Sequence, residues 1–164
     1  EDTKVKINRL GSGDWQKTKA KVRASVRDMA DTGEREQIRG ENRKTADRIL
    51  QLCRENGAQL LLVELPTVTS WNAARHRGVA EFAAARELEF LDLNLLYDQM
   101  GLDGAVAFRD AGNHLNVTGA TAVTAYLGRY IARQYRLPDL RGNSRYANRQ
   151  EEWVCYRRFV NGNV

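Results

Sequence analysis

Apolar residues recur along this chain at two spacings, and the switch from one to the other marks its elements. Ala46, Ile49, Leu50 and Cys53 share one face of a predicted helix over 41–56, with Gly57 as its stop. The next stretch, Gln59-Leu60-Leu61-Leu62-Val63-Glu64-Leu65, is a nearly unbroken apolar run closed by Pro66. A run of that length behind a helix predicts a strand buried on both faces of a parallel sheet. A second helix, over 72–86, turns Val79, Phe82 and Ala83 inward and delivers the chain to a strand over 89–93. From Thr118 onward, Ala120, Val123, Leu127, Tyr130 and Ile131 return to helical spacing. Helix, strand, helix and strand in this order predict an α/β fold of layered type with right-handed crossovers.

The flanks break that rhythm. Residues 1–13 are polar apart from Val5, Ile7 and Leu10, which allows a short edge strand but no central one. Trp15, Ala20, Val22, Val26 and Met29 are loosely helical in a highly charged setting. Pro138 ends the regular alternation, and 146–160 forms a last amphipathic segment carrying Trp153, Tyr156, Phe159 and Val160, able to wrap the domain or to pack on a partner. The expected organisation is a charged arm over 1–40, an α/β domain over 41–140 and an amphipathic extension over 141–164.

Composition narrows the class without deciding the function. A chain of 164 residues, 42% hydrophobic and with two prolines, is one domain or most of one and is folded rather than disordered. The net charge of +5 comes from arginines scattered along the whole length, with no motif beside them that reads nucleic acid, so no nucleic-acid partner is expected. Cys53 and Cys155 are too far apart in sequence to suggest a metal site or a disulfide framework, and both read as core residues. No apolar run is long enough to span a bilayer, the first residues contain no apolar targeting segment, and no metal or organic cofactor is called for.

The candidate chemistry lies in Phe108-Arg109-Asp110-Ala111-Gly112-Asn113-His114-Leu115-Asn116-Val117-Thr118-Gly119, where an acid precedes a histidine in a loop running into a helix. Asn116 or Thr118 can cap that helix. His114, just outside its start, faces the positive end of the helix dipole, which favours the neutral imidazole a general base needs. Asp110 can orient the ring by accepting from one of its nitrogens, and a nucleophile is then required. Equally, Asp110 can simply turn the loop and His114 anchor it. In a layered sheet, ligands gather beyond the carboxyl ends of the strands, and Thr67, Ser70, Trp71, Asp92, Asn94, Asp110 and His114 are expected at that edge. Asn116-Val117-Thr118 also matches a glycosylation acceptor triplet, although capping explains the same residues with less assumption.

About 100 residues, from Glu41 to Arg141, resemble the C-terminal half of SGNH/GDSL-type hydrolases, particularly the bacterial SGNH hydrolase-like proteins related to envelope-polysaccharide acyltransferases. The matching pieces are Leu52-Cys53-Arg54-Glu55-Asn56-Gly57 before Leu61-Leu62-Val63-Glu64-Leu65-Pro66-Thr67, Trp71-Asn72 with His76, Phe90-Leu91-Asp92-Leu93-Asn94, Asp110 through Ala120, and Tyr126-Leu127-Gly128-Arg129-Tyr130-Ile131 leading to Tyr135 through Arg141. The resemblance implies a three-layer flavodoxin-like sandwich with a parallel sheet lacking its first strand in this chain. It also implies a Ser-His-Asp mechanism on an acylated glycan or small acyl ester, with His114 as base and Asp110 as acid, in an extracytoplasmic envelope setting. Three residues separate Asp110 from His114 where the family usually has two, and Gly112 can absorb the extra one. The family's serine sits in a Gly-Asp-Ser turn after its first strand; Gly11-Ser12-Gly13-Asp14 has those letters in another order, and Ser70 follows a different strand. The nucleophile is therefore not identified in this chain, and a preceding segment or a partner is expected to supply it. The alternative is a glycan-binding or assembly module that keeps the fold without the catalysis.

Overall fold

The computed structural model describes residues 29, 32–109 and 112–160; the expected edge strand at Val5 and Ile7, and most of the loosely helical stretch after Trp15, lie outside them. The chain divides into two units, one up to Val123 and the other from Thr124 onward.

In the first unit, helix α1 (Gly40–Glu55) is followed by strand β1 (Leu61–Glu64), helix α2 (Ala73–Ala84) and strand β2 (Glu89–Asp92). Beyond β2 come a 3-10 turn (Leu93–Leu95), the one-turn helix α3 (Tyr97–Met100), and the short strands β3 (Phe108–Arg109) and β4 (His114–Leu115). Helix α4 (Val117–Gln134) starts in this unit and carries the chain into the second. The fold is mixed helix and strand with a small parallel sheet. β1 and β2 run parallel, Leu61 opposite Glu89 and Glu64 opposite Asp92, with α2 as the connection.

Local chemistry fixes where these elements stop. Gly57, at φ +63°, closes α1 in a Schellman arrangement: the amide of Ala58 donates to the Cys53 carbonyl at 2.8 Å and that of Gly57 to the Arg54 carbonyl at 3.2 Å. Asn72 starts α2, its side-chain oxygen accepting from the amide of Arg75 at 2.9 Å. The segment before α1 lies against α2, where the amide of Glu36 donates to the Ala74 carbonyl at 3.0 Å. A Cβ on Gly78 would collide with the Glu36 carbonyl, so the close approach requires glycine. Arg86 bonds both oxygens of Asp47 on α1, at 2.5 and 3.1 Å, with its guanidinium 3.8 Å from the centre of the Phe82 ring.

The core of this unit gathers Leu50, Phe82, Ala83, Leu91, Leu93, Tyr97, Met100, Leu102, Ala107, Phe108 and Val123. Phe108 and Leu93 are fully enclosed, each worth about 1.5–3 kcal/mol of apolar transfer. Three sequence expectations change. β1 is half-buried throughout rather than sealed on both faces, because β2 is its only paired neighbour among the described residues. Ile49 is exposed: Ala46, Leu50 and Cys53 lie close together around α1, whereas Ile49 falls at the margin of that stripe. Cys155 is exposed and Cys53 half-buried, so neither is a sealed core thiol.

In the second unit, α4 continues to Gln134, with Tyr126 and Tyr130 stacked at 6.4 Å between ring centres. A 3-10 turn (Ser144–Tyr146) leads into helix α5 (Ala147–Val160). Trp153 and Tyr156 stack at 5.9 Å, yet both are exposed, as are Tyr146 and Val154. Among the described residues no helix is long and apolar enough to cross a membrane.

Candidate functional site

The carboxyl ends of β1 and β2 open into two loops, and a network of side chains joins them. Asp92, the last residue of β2, is buried and is its hub. Its Oδ1 accepts from the backbone amide and from Nδ2 of Asn94, each at 2.9 Å. Its Oδ2 accepts from Trp71 Nε1 at 2.8 Å and lies 2.7 Å from His76 Nδ1. Asn94 in turn accepts from the amide of Thr67 at 2.9 Å and donates to the Leu65 carbonyl at 3.2 Å, clamping the loop that leaves β1. Thr67 and Ser70 share a hydrogen bond at 3.0 Å between their hydroxyls, and Arg75 donates to the Ser70 carbonyl.

These contacts follow from topology. Parallel strands deliver Glu64 and Asp92 to the same edge, and the first turn of α2 begins there, presenting Arg75 and His76 over it. Glu64, half-buried beside Asp92, has its carboxyl pushed above the usual range, first by burial and then by the Asp92 charge, with Arg75 pulling the other way.

The second part of the site is the β3–β4 hairpin. β3 and β4 pair antiparallel, with Phe108 opposite Leu115 and Arg109 opposite His114. The turn between them is tied to the loop after β1: the Val68 amide donates to the Gly112 carbonyl at 2.8 Å, the Thr67 hydroxyl reaches the same carbonyl at 3.4 Å, and Thr69 Oγ1 donates to Asn113 Oδ1 at 3.2 Å. His114 is exposed on β4, its Nδ1 3.5 Å from Asn113 Nδ2. Asn116 anchors the hairpin to α4: Nδ2 donates to the carbonyls of Val106 (2.6 Å) and Phe108 (3.3 Å), and Oδ1 caps the helix by accepting from the Gly119 amide at 3.0 Å. The cap is thus Asn116 rather than Thr118, and its buried amide has no room for a glycan.

Thr67, Ser70, Trp71, Asp92 and Asn94 come together at the expected edge, and the turn bearing His114 is bound to it. Asp110 and Ser12 lie outside the described residues. Compared with protein-family models, with curated proteins and with solved structures, the chain matches none significantly.

Three residues at this edge were not expected there from the sequence: Glu64, Arg75 and His76. The signal that could have found them is positional, since the end of a parallel strand and the first turn of the following helix must share an edge. Concave regions elsewhere, one along Leu140–Glu151 in the second unit and one beside Arg35, Phe82 and Arg86, are lined by none of these residues. Among the described residues no group of three or more His, Cys, Asp or Glu side chains is arranged to hold a metal ion.

Proposed function

We propose that this chain is part of an SGNH-type ester hydrolase or O-acyltransferase acting on acylated glycan, built on a three-layer flavodoxin-like sandwich. The observation supporting this reading is the tie between the Gly112–His114 turn and the polar cluster at the carboxyl edge of the parallel strands. It ties the turn just before the exposed His114 to the edge where an α/β sheet binds its ligand, which supports a role for that imidazole. In this reading a serine attacks the acyl carbonyl, His114 takes the hydroxyl proton and returns it to the leaving alcohol, and Asp110 orients the ring. The serine is assigned to a preceding segment or a partner.

His114→Ala in the complete protein tests the assignment. Turnover of an acetyl ester is expected to fall by about 100-fold or more; an unchanged rate refutes the role given to His114.

A second reading, a glycan-binding module without catalysis, draws on the exposed stacked pair Trp153 and Tyr156, a surface on which a sugar ring can lie. A fluorophosphonate probe separates the two. Labelling of a single serine, abolished by denaturation, selects the enzyme; an unlabelled protein selects the binding module.

A further inference from the structure

The His76–Asp92 pair has the form of a proton-accepting dyad, and the role given to His114 leaves it unused. Asp92 is engaged by three donors whose identity is fixed. Trp71 Nε1 and the Asn94 backbone amide can only donate, and Asn94 Nδ2 is the amino end of a side chain whose oxygen already accepts from Thr67. A carboxylate in that setting takes a fourth hydrogen bond from His76 Nδ1, and in the neutral ring that bond leaves the lone pair on Nε2. The Asp92 side chain is 1% exposed and that of His76 28%, so the acid is sealed while the ring reaches the surface. Phe90, 5.5 Å from the His76 ring centre, supports the imidazole from β2. Nε2 has no hydrogen-bond partner among the described residues. Around the dyad stand Glu64 at the end of β1, Arg75 on α2 and the hydroxyls of Thr67 and Ser70.

We propose that His76 is a second general base, acting on the incoming acceptor hydroxyl, of water or of a sugar, while His114 serves the serine nucleophile. The acceptor O–H proton passes to Nε2 as its oxygen bonds to the carbonyl carbon of the acyl-enzyme. The tetrahedral intermediate then collapses, the bond from carbonyl carbon to serine oxygen breaks, and the imidazolium gives its proton to that oxygen. Asp92 holds the ring through both transfers. The inference rests on the proposed ester chemistry for its substrate.

The two assignments predict different kinetics with p-nitrophenyl acetate and the complete protein. In His76→Gln the pre-steady-state burst of nitrophenol is expected to persist while steady-state turnover falls by about 100-fold; in His114→Ala the burst itself is expected to disappear. A full steady-state rate in His76→Gln, with His114→Ala inactive, overturns the role of His76 and leaves the ester reading intact. No turnover by the native protein overturns both. Should the variant fail to fold, nitrogen-15 NMR of the His76 ring in the native protein decides. A His76 ring protonated on Nδ1 is expected, and a neutral ring protonated on Nε2 refutes the dyad.

Discussion

Glu64 and Asp92 are register partners on adjacent parallel strands, so two carboxyl groups stand side by side at one edge of the sheet. Asp92 is engaged by Trp71, His76 and Asn94, whereas Glu64 is raised above its ordinary value of 4.5 by burial and by Asp92. The sign of the consequence is fixed: a carboxyl whose value is higher in the folded than in the unfolded state favours the fold while neutral. That contribution is complete below the ordinary value and is lost as pH rises through the raised one. Glu64→Gln is therefore expected to melt higher than the native protein at pH 7 and close to it at pH 4. Thermal melts at the two pH values check this, and a variant less stable at pH 7 alone contradicts it.

Asn94 is the mechanical link between the two strand ends. Its side chain bonds the Thr67 amide, the Leu65 carbonyl and Asp92, and the residue is 1% exposed. Asn94→Ala strands a buried amide and removes one of the donors to a buried carboxylate, at an expected cost of about 3 kcal/mol. Urea unfolding measures it, and a loss below about 1 kcal/mol would show that water replaces the side chain readily.

Periodicity made the framework legible. The expected helix over 41–56 is observed as Gly40–Glu55, and the expected strands appear at Leu61–Glu64 and Glu89–Asp92, because helical stripes and apolar runs encode local conformation. The edge cluster followed from topology alone. His76 escaped because a single histidine in a helix carries no periodic signal, and its meaning depends on an Asp sixteen residues away. The exposure of Trp153 and Tyr156 escaped because spacing along α5 identifies a face without identifying what covers it. The half-buried state of β1 escaped because strand burial depends on neighbours that an apolar run does not name.

Asn116 offers a sharper test than an alanine scan. Asn116→Asp keeps an oxygen to cap α4 but turns the amino group, which donates to the Val106 and Phe108 carbonyls, into an acceptor facing acceptors. The expected loss is about 2 kcal/mol or more despite the retained cap. Expression in a glycosylating secretory host should leave the mass at Asn116 unmodified, since the amide is buried in the folded hairpin. A glycan found there on folded protein would contradict the hairpin anchor.

Two glycines separate backbone strain from simple helix propensity. Gly112 has φ +102°, and a Cβ on it would stand 2.7 Å from Val68 Cβ, on the turn whose carbonyl receives the Val68 amide. Gly112→Ala must therefore distort both the turn and its tie to the loop after β1, at an expected cost of about 1–3 kcal/mol. Because His114 rides on that hairpin, the proposed ester turnover should fall at temperatures where the variant is still fully folded. Gly128 lies inside α4, and a methyl group added there would meet nothing within 4 Å, so Gly128→Ala should stabilise by about 0.5–1 kcal/mol and leave turnover unchanged. Paired melts and rates for the two variants check this, and equal turnover in both would mean that the position of the Gly112 turn does not govern the proposed reaction.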